Sequence, residues 1–338
     1  MSKSFASDNW AGACPEVMNA LIAVNNDYAA AYGNDDYTLQ AQQEFKKLFG
    51  EETEVHFVYN GTAANVVALS SVIRSVNSVI CADHAHINVD ECGAFENMSG
   101  AKLVALPSVN GKLTPEIILA VVEADLFPHR NIPQVITITQ ATEVGTIYSV
   151  TEIKALADFA HKHNLLLHID GARIANAIVS LQTDFKTMIT DTGVDMLSFG
   201  GTKNGMMFGE AVVFLKPELA SSFELHRKQG MQLHSKMRYI AAQFMGLLQN
   251  DIWKTNATHA NEMAQYLAKR LEEFPEIRFS QKVESNGIWA VIPKHLAEKM
   301  QDAHFFYPWD ESKNEYRLMC SWDTTKEEID RFIDVVNH

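Results

Sequence analysis

Short apolar runs rich in β-branched residues alternate with helical patterns through the first 250 residues. Val55–Tyr59, Ser78–Cys81, Lys102–Leu106, Val135–Thr139, Leu165–Ile169, Met196–Phe199 and Ala211–Leu215 read as strands. Asn60-Gly61-Thr62 opens a helical run through about Arg74, and Thr151–Lys162 reads as a helix with a threonine N-cap. Alternation of this length predicts a mostly parallel sheet covered by helices on both faces. The character changes after about Asn250. Thr258–Phe274 is an amphipathic helix, followed by strands near Ile277–Ser280, Ile288–Val291 and Tyr316–Trp322, and by a last helix with a Thr324/Glu327 capping box. The expected division is a large domain with the N-terminal segment over 1–250 and a small α+β domain over 251–338.

Composition narrows the classes. The chain has 338 residues, 47% hydrophobic and 21% charged, which is an ordinary globular balance. Its net charge of −14 argues against nucleic acid and anionic membranes as partners. Four scattered cysteines, no C-x-x-C pair and no long apolar run point to a reducing cytoplasm and no membrane span.

In open α/β sheets ligands bind beyond the carboxyl ends of the strands, so those ends hold the candidate chemistry. Gly61 and Thr62 start a helix after a strand, where free N–H groups make either an anion site or a plain capped turn. Asp170 ends an apolar strand; it is either the ion-pair partner of Arg173 or faces a cationic ligand atom. Lys203, within Gly200-Gly201-Thr202-Lys203-Asn204-Gly205, is either a surface lysine or a Schiff-base amine on a loop that approaches a cofactor closely. His86, two residues after His84, is poorly spaced for metal and is either a loop residue or a stacking partner for a flat ring. Together, a phosphate cradle, a strand-end aspartate, a glycine-flanked lysine and a stacking histidine are the parts pyridoxal phosphate (PLP) needs. No metal site is expected.

These pieces sit within longer stretches: Phe5–Asn9 (FASDN), Ala31–Asp36, Phe57–Asn65, Thr137–Gly145, His168–Ala177, Phe199–Gly205 and Met319–Thr324. In them the chain resembles the low-specificity L-threonine aldolases of PLP fold-type I, most of all the bacterial branch that also cleaves phenylserine. The resemblance implies a large domain with a mostly parallel seven-stranded sheet and cleavage of L-threonine, L-allo-threonine and related 3-hydroxy-amino acids to glycine and an aldehyde. It implies that Lys203 holds PLP, Asp170 pairs with the pyridine nitrogen, Gly61 and Thr62 bind phosphate and His86 stacks on the ring. Arg173 would lie at the cofactor and, with Ser7 and Arg317, grip the substrate carboxylate. Tyr32 would reach a neighbouring subunit's site in a homotetramer, and a basic residue between Arg227 and Arg238 would reach the neighbour's phosphate. The chain departs from the commoner pattern at Glu143, which stands where those enzymes carry a histidine near the substrate hydroxyl. Glu143 is therefore a catalytic candidate or a solvent-facing residue. Another PLP-dependent lyase, racemase or aminotransferase, or a non-catalytic binding protein, is the alternative reading.

Overall fold

The computed structural model describes residues 4–124 and 128–337. Seven strands form the main sheet: β1 (Glu54–Val58), β2 (Asn77–Ala82), β3 (Lys102–Leu106), β4 (Ile132–Thr139), β5 (Leu166–Gly171), β6 (Met196–Gly200) and β7 (Glu210–Phe214). Their order is β1-β7-β6-β5-β4-β2-β3. The neighbours from β6 to β3 pair in parallel, while β7 runs antiparallel to both β6 and β1. Because β1 is inverted twice relative to β6, it points the same way as the parallel strands. The carboxyl ends of β1, β2, β4, β5 and β6 therefore open on one edge. This is the expected mostly parallel seven-stranded sheet.

Strands β2, β6 and β7 are buried along their whole length, which explains why their sequences show no in–out alternation. Helix Gly61–Val72 is apolar almost all round, and every residue from Ala63 to Ser70 is buried. Phenylalanines from several elements seal the far face; the Phe45 ring lies 5.1 Å from those of Phe199 and Phe244.

A second sheet, β8 (Arg278–Phe279), β9 (Gly287–Val291), β10 (Tyr307–Asp310) and β11 (Glu315–Met319), is antiparallel in the order β10-β11-β9-β8. Its core joins Leu267 and Leu271 of the long helix Ile252–Leu271 to Ile288, Leu318 and Phe332. Phe5 is buried in the same cluster. The N-terminal segment is tied there by backbone bonds from Phe5 N to Phe305 O and from Met319 N to Phe5 O.

Three local expectations are corrected. The long helix begins at Ile252, ahead of Thr258. The helix expected from Thr151 is capped by Ser149, whose hydroxyl accepts from Glu152 N while Glu152 accepts from Ser149 N. The last capping box uses Thr325 and Glu328, one residue beyond Thr324 and Glu327; Thr324 Oγ1 already accepts from Ser321 N. Among the described residues no helix is long and apolar enough to cross a membrane.

Candidate active site

Glycines let the carboxyl ends of β5 and β6 converge. A side chain on Gly200 would meet the Ala172 backbone, with Ala172 Cα at 2.7 Å, and one on Gly171 would lie 2.8 Å from Ser198 O. The close approach brings the loop carrying Lys203 over the end of the strand carrying Asp170. Gly201 N donates to Glu210 Oε2 at 2.6 Å, which anchors that loop to β7. Burial pushes the Glu210 carboxyl up to about 7. Burial and the Arg173 charge hold the Lys203 ammonium below its ordinary range, against the opposing pull of Asp8, Asp170 and Glu210. Among the described residues Lys203 Nζ makes no hydrogen bond. A desolvated amine with lowered proton affinity is the state a nucleophilic lysine requires.

Asp170 is buried, with Oδ1 accepting from Ala172 N at 3.0 Å and Oδ2 from Asn65 Nδ2 at 2.7 Å. It is not the hydrogen-bonded partner of Arg173. That guanidinium forks onto Asp8, Nε to Oδ2 at 2.7 Å and Nη2 to Oδ1 at 2.9 Å, and Asn286 supports Asp8 from the small domain at 3.0 Å. Arg173 holds the Asp8 carboxyl down at about 2 in spite of its burial. Asp8 takes the Nε edge of Arg173, and the outer edge of the fork is left for another anion.

Arg317 comes from β11. Its Nη2 donates to Ala6 O at 3.1 Å, while Nε is buried without a partner. Burial and the nearby Arg173 charge lower its proton affinity. Two half-buried guanidiniums, one with an orphaned N–H, form a site that a carboxylate would complete. Ser7 stands beside them, its hydroxyl accepting from Asn9 N at the start of the short helix Asp8–Trp10.

His86 begins a short helix after β2. Its Nδ1 is 2.8 Å from Glu91 Oε1, and Asn65 Nδ2 reaches the same carboxylate oxygen at 3.0 Å. Glu143 lies in the loop after β4, where Oε1 accepts from His86 N at 2.7 Å and from Thr139 Oγ1 at 2.8 Å. It is thus tied to the His86 segment and does not extend freely into solvent. Burial and the charge of Asp170 raise its carboxyl to about 7.

At the end of β1, Asn60 caps helix Gly61–Val72 by accepting from Ala63 N at 2.9 Å. The Gly61 and Thr62 amides at the helix N-terminus have no partner among the described residues, and nothing lies within 4 Å of where a Gly61 side chain would be. This is an open anion cradle. Tyr32 joins none of these hydrogen bonds. It is exposed, with Lys228 Nζ 5.2 Å from its ring centre. Between Arg227 and Arg238, Arg227 is buried with an unpartnered Nε, and Arg238 donates to Asn26 O and Asp27 O.

Asp8, Asn65, Glu91 and Glu210 are additions to the residues expected from sequence. Asn65 had a legible signal: it is a lone amide inside an apolar helix. Among the described residues no group of His, Cys, Asp and Glu has the arrangement of a metal site.

The Beta-eliminating lyase family profile matches residues 4–292. The low-specificity L-threonine aldolase of a Pseudomonas species is 42% identical over 97% of this chain and 95% of its own length. The enzyme of that name from Pseudomonas aeruginosa is 41% identical, also over 97% of this chain and 95% of its own. The chain belongs to this family of lyases. A solved threonine aldolase of Leishmania major superposes with a TM-score of 0.94 at 30% identity, covering 99% of this chain and 98% of that one. Enzymes of the family use PLP, and the site described here has the chemistry to hold it. The unpaired helix amides suit its phosphate, Asp170 suits a protonated ring nitrogen, and the unbonded Lys203 amine suits its aldehyde.

Proposed function

We propose that this protein is a low-specificity L-threonine aldolase that cleaves L-3-hydroxy-amino acids to glycine and an aldehyde. The observation that carries the reading is a half-buried, unbonded Lys203 under the charges of Asp170 and the Arg173–Asp8 pair, beside a two-arginine carboxylate site. The bound cofactor supplies an electron sink for the pair released when the Cα–Cβ bond breaks.

The protein's own groups set up that cleavage. Gly61 and Thr62 would hold the phosphate, Lys203 would attach the cofactor, and Asp170 would keep a proton on its ring nitrogen. Arg317 Nε, the free edge of Arg173 and Ser7 hold the substrate carboxylate. Fixing that carboxylate would orient the substrate for cleavage, which lowers the barrier by positioning. His86 would stack against the cofactor. A base must take the β-hydroxyl proton, a contribution of about 10²–10⁴-fold. Glu143 fits this role, because a carboxyl near 7 is part ionised at neutral pH and its Oε2 makes no hydrogen bond among the described residues. We place the enzyme in the cytoplasm as a homotetramer with Tyr32 at a subunit boundary. The exposed Ile22, Tyr28 and Tyr32 support such a boundary.

The deciding experiment incubates the PLP-loaded protein with L-threonine and measures acetaldehyde and glycine against pyruvate and ammonia. Stoichiometric acetaldehyde and glycine are expected. Pyruvate or ammonia as the main product would replace this reading with elimination or transamination on the same scaffold.

A further inference from the structure

Glu91 is a buried carboxylate beside the site, and none of the roles above uses it. Its side chain is 0% exposed. One oxygen serves His86 Nδ1 at 2.8 Å and Asn65 Nδ2 at 3.0 Å; the other, Oε2, is buried with no partner. Asn65 is equally spent. Its single amide nitrogen bridges Glu91 and Asp170, and its Oδ1 is buried without a donor. The result is a continuous line from His86 through Glu91 and Asn65 to Asp170. It holds two carboxylates, one amide and two orphaned acceptors. Orphans of this kind cost stability, and a structure that retains them points to function.

A carboxylate on Nδ1 has two effects. It places a hydrogen on Nδ1, which leaves Nε2 as the working nitrogen, and it favours the charged imidazolium. Nε2 has no hydrogen-bond partner among the described residues. We propose that Glu91 is a positioning residue that sets the tautomer and charge of His86, and that Asn65 transmits this setting to Asp170. The catalytic meaning rests on the reading that His86 covers the cofactor ring; the Glu91–His86 coupling does not.

Four charged groups act on the imidazole: Glu91 and Asp170 favour its proton, Lys203 opposes it, and Glu143 is bound to its backbone N–H. Their net effect raises the proton affinity of His86, with the Glu91 hydrogen bond the largest contribution. Removing the Glu91 charge therefore lowers it.

The test is a pH titration of ¹⁵N-histidine-labelled protein by NMR, with and without PLP, the His86 signals being assigned from a His86→Gln spectrum. In Glu91→Gln the His86 midpoint should fall by about one pH unit, tenfold in proton affinity. In Glu91→Leu, which offers no acceptor, Nδ1 should also lose its protonated signature in the neutral form. Glu91→Asp keeps the charge but withdraws it by one methylene, so its midpoint should lie between those of wild type and Glu91→Gln. It carries the test alone if the glutamine variant does not fold, with any midpoint below wild type supporting the proposal. In the loaded enzyme the pH profile of kcat/KM should move with the His86 midpoint. An unchanged His86 midpoint and tautomer, with only a lower Tm, would make Glu91 a packing residue and overturn the proposal. A moved midpoint in the variants, with PLP-loaded wild-type protein forming no acetaldehyde from L-threonine, would uphold the coupling and refute the aldolase reading instead.

Discussion

Replacing Asp8 by Asn removes one charge from a buried fork and leaves its shape. In the wild type the Asp8 side chain is 1% exposed and that of Arg173 15% exposed, with both contacts under 3 Å. Breaking a buried pair from one side costs about 3–5 kcal/mol, because the remaining charge is uncompensated. Proton linkage gives a second measure. Asp8 falls from 3.8 to about 2 on folding, and at roughly 1.4 kcal/mol per unit this is about 2 kcal/mol of stability. An asparagine still bonds Arg173, so about 2–3 kcal/mol is the expected loss, or about 4 °C in Tm for a chain of this length. A depressed acid contributes fully above its unfolded value and loses the contribution as pH falls through its folded value. The gap between wild type and variant should therefore be complete at pH 7, begin to close below about 4, and vanish near 2. Thermal or urea unfolding followed by circular dichroism measures it, at one protein concentration so that subunit association does not contribute. Equal stability at pH 7, or a gap that persists unchanged to the acid limit, would refute the assignment of Asp8 as the counter-ion of Arg173. Substrate KM should rise as well, since asparagine offers one acceptor where the carboxylate offered two and the guanidinium is held less firmly.

Lys203→Ala removes the amine that would attach the cofactor; turnover should fall by several orders of magnitude and the absorbance of borohydride-fixed cofactor should disappear, and retained turnover sinks the assignment. Arg317→Lys keeps a charge but loses the planar fork, so KM for L-threonine should rise at least tenfold, and unchanged steady-state kinetics would move the carboxylate site onto Arg173 and Ser7. Glu143→Gln should remove a limb near pH 7 from the kcat/KM profile, because the wild-type carboxylate forms as pH rises through about 7; a profile identical to wild type denies it the proton. Glu143→His should change the ratio of kcat/KM for L-threonine and L-allo-threonine, since discrimination at Cβ requires a group near that carbon, and a shared loss at constant ratio would mean loop disturbance alone.

The seven sheet strands were legible because each is a short, mostly apolar run ended by polar, glycine or proline residues. Strand β10 was not, because Pro308 lies inside it and disguises an edge strand as a loop. The helix caps slipped by one or two residues where the sequence offers competing frames. Thr324-Thr325-Lys326-Glu327-Glu328 contains two overlapping capping boxes, and the choice falls to a third party, the Ser321 amide. The strand-end positions of Asp170 and Lys203 could be read locally. The partners of the site residues could not. Asp8 meets Arg173 across 165 positions and Asn65 meets Asp170 across 105, so only the fold reveals that the carboxylate beside Arg173 comes from the N-terminus. The aldolase reading itself came from extended motifs, which the family match and the 42% identical relative bear out.

The N-terminal segment also has a consequence for how the protein is made. Phe5 pairs with Phe305 and Met319, Ala6 O receives Arg317, and Asp8 holds Arg173. Phe5 and Ala6 thus find their places only once partners some three hundred residues later in the chain have been made. Loop closure across some three hundred residues is slow, and domains fold largely in the order of synthesis. The cradle at Gly61, the Asp170 strand and the Lys203 loop can assemble while the C-terminal third is still being translated. The carboxylate grip cannot. A nascent chain arrested before Arg317 should therefore be able to retain cofactor without recognising an amino acid, so substrate binding arises later in synthesis than cofactor binding.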